Sequence, residues 1–587
     1  MEINPRDSLQ LLLPTLLDRA VRLQPEETIV TYQGNGNFHE VSYREQYLRA
    51  KRLGSVLEKS CEKGETVGTL MWNNANHALL YHATPCIGRV IHTLNVRLSS
   101  QELAYIIKHA EDKVVVADED HLKLLAECDI DALRSIRLLV VCGPSQGIAG
   151  GWALSTEMTQ TCQDLGVQVV DLEEFLASGT EDFAWPVTEH NTREGETVGL
   201  CYTSGTTGTP KGVAFSHRAL YIHLLACSAT DWASLSRTDC VLPVVPQFHV
   251  WAWGFPFMAL MHGFKLCLMH KWNDGESILR MMTRHQVTLA AGVPSVWQAV
   301  KAEYEATPNP PPLVLERVLC GGSAPPLEIQ EWFMNAVKAE LINAWGMTEC
   351  SPNACSARHV SMRRDRQNSA REKIRRTGNP GYPLPGLEMR IVDPENLDVE
   401  RGQNESGELL VRSPCVTGAY HKQSTPDKFH KGWLVTGDVA LIDGEGALQL
   451  LDRSKDMIKS GGEWISSIDL ENHITGLPEI QMACVVAVPH PKWDERPVAV
   501  VQLAASGSQI SQAEIKLKIV NHCRQKFAKW QVPDDVLVWT AIPLTGTGKL
   551  DKKRVRSHLE EQKYCLPLMP WAYSGREGMM QRHGAAT

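Results

Sequence analysis

No C-x-x-C pair occurs among the sixteen cysteines, and no Cys/His group has zinc-finger spacing, so free buried thiols are expected rather than a zinc module. No stretch of about 18 uninterrupted apolar residues is present, so no membrane-spanning helix is expected. Met1 to Ala20 carries acidic residues where a secretory signal is basic, and Pro14 and Asp18 break its apolar run. An excess of positive charge is missing too. The formal net charge is −9, so the surface as a whole repels polyanions and offers no footprint for nucleic acid or an anionic membrane. Any phosphate site must be local. The closing Gly-Ala-Ala-Thr is not a peroxisomal tripeptide, and a reducing, cytoplasmic setting is the expectation, with the peroxisome left open. Internal repeats and low-complexity tracts are absent. The most basic run, Arg363 to Arg376, is interleaved with Asp365 and Glu372 in a turn-rich stretch and reads as a solvated loop.

What is present is an ordinary globular composition, 43% hydrophobic and 22% charged, on 587 residues, too many for one hydrophobic core. Short β-branched runs such as LRSIRLLVVCG, TLAAGVPSV and RVLCGGSAP alternate with helical stretches such as SSQELAYIIKHAED and SILRMMTRHQ. That rhythm predicts a layered α/β body. Beyond Val392-Asp393-Pro394 the pattern turns to short strands and bends, GELLVRSP and ALQLLDR, predicting a β-rich subdomain over about 390–453. A polar, glycine-rich passage, SKDMIKSGGEW, follows Arg453 and opens a small α+β domain. The expected domains are therefore 1–453 and 454–587. In the second, Ser511 and Glu514 form a capping box, and Ile515, Ile519, Cys523 and Phe527 share the buried face of the helix it starts.

The densest local pattern is Tyr202-Thr203-Ser204-Gly205-Thr206-Thr207-Gly208-Thr209-Pro210-Lys211-Gly212. Glycines let the backbone approach a ligand and turn its amides inward, five Ser and Thr hydroxyls offer donors, and one lysine supplies charge, which together make a phosphate loop. Lys211 stands between Pro210 and Gly212, so this is not the G-x-x-x-x-G-K-[ST] loop of the common nucleoside triphosphatases. The stretch strongly resembles the signature of the adenylate-forming superfamily, which holds acyl-CoA synthetases, peptide-synthetase adenylation domains and luciferases. Further signatures of that family occur in order as far as Lys549, so the resemblance covers essentially the whole chain.

The resemblance implies ATP and Mg²⁺ as cofactors and assigns roles along the chain. Thr203 to Gly208 and Lys211 would hold the phosphates. His249 would gate the acid pocket, within a segment, Val250, Trp251, Trp253 and Gly254, similar to the family's aromatic stretch. Read without that context, the two tryptophans suit core and pocket wall equally. Gly322, Ser323 and Ala324 would lie along the adenosine, as would Ala344, Trp345, Gly346 and Met347, with Trp345 stacked on adenine. Thr348 would bond the α-phosphate and Glu349 would hold Mg²⁺, a hard cation that prefers oxygen ligands and phosphates. Asp438 resembles the carboxylate that takes both ribose hydroxyls, Arg453 would contact the ribose and phosphate side, and Lys455 falls at the family's hinge. Lys549, in Pro543-Leu544-Thr545-Gly546-Thr547-Gly548-Lys549-Leu550, would be the adenylation catalyst. In the family the small domain swings about the hinge between half-reactions, bringing Gly461, Gly462 and Trp464 to the acceptor thiol.

His92 to Leu98, the aromatic stretch and Ile458 to Ser466 look most like the medium-chain fatty acyl-CoA synthetase branch. The implied reaction is activation of a carboxylic acid as acyl-AMP and transfer to coenzyme A. Aromatic or branched acids, a carrier-protein phosphopantetheine as acceptor, a homodimer, and a non-catalytic nucleotide-binding scaffold are the alternatives left open; nothing favours luciferase-like oxidation.

Overall fold

The computed structural model describes residues 9–566 apart from 145–148, 189, 204–208, 231, 361, 462, 505–506, 508–509 and 546–548. The chain divides into two compact units, one of 1–325, 331–389 and 411–435, the other of 326–330, 390–410 and 436–587.

The first unit carries two sheets. The seven-stranded one runs in the order Gln168–Asp171, Leu138–Cys142, Val114–Asp118, Thr66–Leu70, Val90–Thr93, Thr197–Thr203, Lys211–Ser216, parallel except for its last pair. The nine-stranded one places Arg317–Gly321 parallel to and beside Glu340–Gly346, with Asn353–Ala357 returning antiparallel. Most central strands are buried along their whole length, as expected for parallel strands covered on both faces by helices. The βα rhythm read from the sequence is the observed one. Ser100–Ala110 starts on a Ser99/Glu102 capping box, and Gly275–His285 follows the Asp274 cap.

Arg363 to Arg376 departs from the loop expected of it. It forms a short 3₁₀ turn, Arg363–Gln367, and a helix, Ala370–Thr377. Ser369 and Glu372 cap each other, Ile374 is buried, and Arg376 pairs at 2.7 Å with a buried Asp365. One apolar anchor and one ion pair hold what the charges alone had suggested was solvated.

In the second unit, side-chain alternation builds two cores on one sheet. Val485, Ala499 and Val501, from Ile480–His490 and Asp494–Leu503, pack with Leu470 of the helix Ser467–Thr475 and with Ile515 and Ile519 of Gln512–Cys523. Their neighbours Cys484, Val486, Val498 and Val500 pack with Val555 and Leu559 of Lys552–Glu561. The Ser511/Glu514 box caps the helix as expected, with Ile515, Ile519 and Cys523 buried; Phe527 packs on the same core from beyond the helix end. A further five-stranded sheet, Glu388–Val392, Gly407–Arg412, Phe429–His430, Trp433–Ile442 and Leu448–Arg453, has its residues shared between the units. All sixteen cysteines are free, fifteen of them buried. Among the described residues no helix is long and apolar enough to cross a membrane.

Candidate functional site

Thr197–Thr203 and Lys211–Ser216 pair antiparallel, Thr203 opposite Lys211 and Tyr202 opposite Gly212. The phosphate-loop motif therefore joins two neighbouring strands, and the helix after it, His217–Ala229, waits for the Ser216 cap. Ser204, Gly205, Thr206, Thr207 and Gly208 lie outside the described residues. Lys211, the first residue of the return strand, is half-buried, and its Nζ stands 5.0 Å from the ring centroid of Tyr420. The Tyr420 hydroxyl donates to Glu349 Oε1 at 2.7 Å. One aromatic side chain thus links the loop lysine to the candidate metal carboxylate. Burial, with the Glu349 carboxylate beside it, pushes the Tyr420 phenol above its usual range and keeps it a donor.

Tyr420 was not a sequence candidate. Its backbone neighbourhood explains why it arrives here: His421 N–H donates to the Gly212 carbonyl (2.7 Å) and Thr417 N–H to the Glu349 carbonyl (2.8 Å), so the 417–421 segment is stitched to both motifs.

Thr348 and Glu349 are buried in the 3₁₀ turn Thr348–Cys350, directly after the strand that holds Ala344, Trp345 and Gly346. Met347 N–H donates to the Pro352 carbonyl at 3.0 Å. A Cβ on Gly346 would stand 1.9 Å from that carbonyl oxygen, so only glycine permits the turn that brings Thr348 and Glu349 back. Gly321 pairs with Ala344, and Gly322, Ser323 and Ala324 follow as a partly exposed turn. The adenosine candidates thus stand together at the carboxyl ends of adjacent parallel strands, where open α/β sheets bind ligands.

The aromatic stretch has an unusual backbone. Val250, Trp251, Ala252, Trp253 and Gly254 all have positive φ, at 44, 59, 46, 57 and 87°. Left-handed conformation costs about 1–2 kcal/mol per non-glycine residue, so burial of all four side chains must hold it. The consequence is divergence of the two tryptophans. Trp251 is fully buried, edge-on to Tyr81 and Phe215, and lies so close to Gly199 that a Cβ there would sit 1.9 Å from its ring. Trp253 instead approaches Gly321 and, through its carbonyl, the Asn353 side chain at 3.4 Å. His249, half-buried, precedes this turn and accepts the Ala252 amide on its carbonyl.

The second unit holds the remaining candidates. Asp438 and Arg453 face each other across paired strands, with Arg453 Nε 2.6 Å from Asp438 Oδ1. Partial desolvation lowers the Lys455 ammonium below its ordinary range, with Asp456 opposing and Arg453 and Arg556 reinforcing the shift. Gly461, at φ 63°, turns the hairpin of Ile458–Ser460 and Glu463–Ile465, on which Lys459 stands over an exposed Trp464. Gly462 lies outside the described residues. Thr545 N–H donates to the Lys549 carbonyl (2.7 Å) and Lys549 N–H to Thr545 Oγ1 (3.2 Å), closing the loop that carries Lys549.

Whether Glu349 suits Mg²⁺ can be judged from its donors. It is a buried carboxylate oriented by one phenol, and among the described residues no three His, Cys, Asp or Glu gather into a cage. That fits a cation that completes its shell with phosphate oxygens and water.

Comparisons with known proteins identify the family. A family model described as AMP-binding enzyme matches residues 17–421, and one described as AMP-binding enzyme C-terminal domain matches residues 469–549. The 3-methylmercaptopropionyl-CoA ligase of Ruegeria lacuscaerulensis is 38% identical, over 94% of this chain and 98% of its own length. The medium-chain-fatty-acid–CoA ligase of Ectopseudomonas oleovorans is 36% identical, over 93% and 96%. In fold, the crystal structure of an anthranilate CoA ligase in complex with anthranoyl-AMP is similar with a TM-score of 0.80 at 22% identity, over 95% of this chain and 99% of that one. Matched by the family model over most of its length and by curated coenzyme A ligases nearly end to end, the chain belongs to the AMP-binding enzyme family of adenylate-forming acid–CoA ligases.

Proposed function

We propose that the acid is a medium-chain fatty acid, joined with ATP into acyl-AMP and pyrophosphate and then passed to coenzyme A, giving acyl-CoA and AMP, in a site organised around Lys211, Tyr420 and Glu349. The observation that carries the site assignment is the Lys211–Tyr420–Glu349 chain, since it connects two motifs far apart in sequence. The choice of acid is supported by the medium-chain ligase among the relatives.

The first half-reaction brings a carboxylate against the α-phosphate of ATP, so two anions must meet and preorganised cations lower the barrier. Unit charges about 4 Å apart interact by roughly 4 kcal/mol at an effective dielectric near 20. Lys211 and Lys549 supply such charges; Thr348 donates to the α-phosphate, and Trp345 stacks on adenine. Mg²⁺, held by Glu349 and the phosphates, would neutralise charge on the triphosphate. Asp438 takes the ribose hydroxyls, with Arg453 beside it. His249 gates the acid, whose tail lies along Val250, Trp253 and Gly254.

For the second half-reaction, a small domain beginning after Arg453 turns about Lys455, withdrawing Lys549 and presenting Gly461, Gly462 and Trp464 to the thiol. We assign the reaction to the cytoplasm, where the free thiols stay reduced. Acid-dependent ATP–pyrophosphate exchange over a panel of acids, followed by mass detection of acyl-CoA, tests the proposal. Strongest exchange with aromatic or short acids would overturn the choice of acid. A phosphopantetheinylated carrier protein, run beside coenzyme A, tests the alternative acceptor.

A further inference from the structure

His223 lies within the helix His217–Ala229 and is 2% exposed. Its Nε2 accepts the backbone N–H of Asn353 at 3.1 Å. A ring nitrogen that accepts carries no proton, so in the neutral imidazole the proton is on Nδ1. Burial lowers the His223 pKa to about 3, which keeps the ring neutral. The Nδ1–H is therefore a fixed donor, and among the described residues it has no partner. Buried donors are nearly always satisfied, by protein, by ordered water or by a ligand.

His223 Cε1, bonded to Nδ1, lies 3.9 Å from the point where a Cβ on Gly254 would stand. Asn353, which sets the tautomer, follows Glu349 by four residues and donates through its side chain to the Trp253 carbonyl. Three site segments meet at this imidazole: the helix after Lys211, the Trp253-Gly254 turn, and the strand after Glu349.

We infer that His223 determines specificity, its Nδ1–H meeting a hydrogen-bond acceptor within the acid's tail, so that the substrate class is a medium-length acid carrying an ether, thioether or keto group. This rests on the reading of His249 to Gly254 as the acid pocket. No bond forms or breaks; the acceptor satisfies a donor that a plain alkyl chain leaves unpaired, and sites built to pair with a substrate atom reject analogues lacking it.

The test compares octanoate with isosteres in which one methylene, from C4 to C7, is replaced by oxygen, sulfur or a carbonyl, using kcat/KM for pyrophosphate exchange. One position is expected to exceed octanoate by about tenfold or more. His223→Leu should bring that ratio close to one, and His223→Gln, which can accept from Asn353 and still donate, should preserve part of the preference. Wild-type preference for octanoate over every isostere overturns the inference without any variant being folded. An unchanged profile in a folded His223→Leu does so too. Strong exchange with plain alkyl acids in either case leaves the ligase reading standing, whereas no exchange with any acid overturns that reading and this inference together.

Discussion

Replacing Tyr420 by phenylalanine removes one hydroxyl and leaves the ring beside Lys211. The lost contact is a 2.7 Å bond to a buried carboxylate. A hydrogen bond to a charged group is worth about 1.5–3 kcal/mol net. At 1.4 kcal/mol per factor of ten, Tyr420→Phe should lower kcat/KM for MgATP by roughly 10- to 150-fold. Because the hydroxyl orients Glu349, the loss should be largest at low Mg²⁺ and shrink as Mg²⁺ is raised. Mn²⁺ binding in the presence of ATP, followed by electron paramagnetic resonance, should weaken in parallel without any turnover being measured. Tyr420→Leu also removes the aromatic face 5.0 Å from Lys211, a contact worth about 0.5–2 kcal/mol, and should add a loss in ATP affinity that Mg²⁺ does not repair. A Tyr420→Phe enzyme within twofold of wild type at every Mg²⁺ concentration, or one whose loss is independent of Mg²⁺, refutes the positioning role.

Lys549→Ala should slow pyrophosphate exchange by about 10²–10³, the usual loss for one preorganised donor at a developing charge, and near-normal exchange would remove Lys549 from the adenylation step. Lys455→Pro fixes one backbone torsion and restricts its neighbour, so thioester formation should fall while pyrophosphate exchange persists; equal loss in both argues against a hinge there. Burial pushes Asp118, at the end of its strand, from 3.8 up to about 7. The folded protein therefore keeps this proton where the unfolded chain has released it, and the stability linked to it is full below pH 3.8 and lost as pH rises through 7. Asp118→Asn should flatten the dependence of Tm on pH between 4 and 7, and an unchanged slope in thermal melts would show that Asp118 does not carry it.

The two tryptophans of the aromatic stretch separate what sequence can disclose from what it cannot. Trp251 and Trp253 are chemically identical and two positions apart, a spacing that would place both on one face of a strand. Five consecutive positive φ values send one against Gly199 and the other against Gly321. Nothing local announces that run, because only Gly254 among the five favours it. Where both partners of an interaction lie within one turn, as in the Ser511/Glu514 and Ser99/Glu102 caps, the reading holds to the residue. Ser369 and Glu372 have the same spacing, yet the surrounding charges hid the helix, since its only deep apolar anchor is Ile374. The same limit governs the site. Lys211, Glu349 and Lys549 each stand in a dense local motif, while Tyr420 meets Glu349 across 71 residues and His223 meets Asn353 across 130. Those two side chains have no motif of their own. Their significance comes from which distant groups they touch: Tyr420 joins the motifs of Lys211 and Glu349, and His223 places a fixed donor beside the turn proposed to hold the acid.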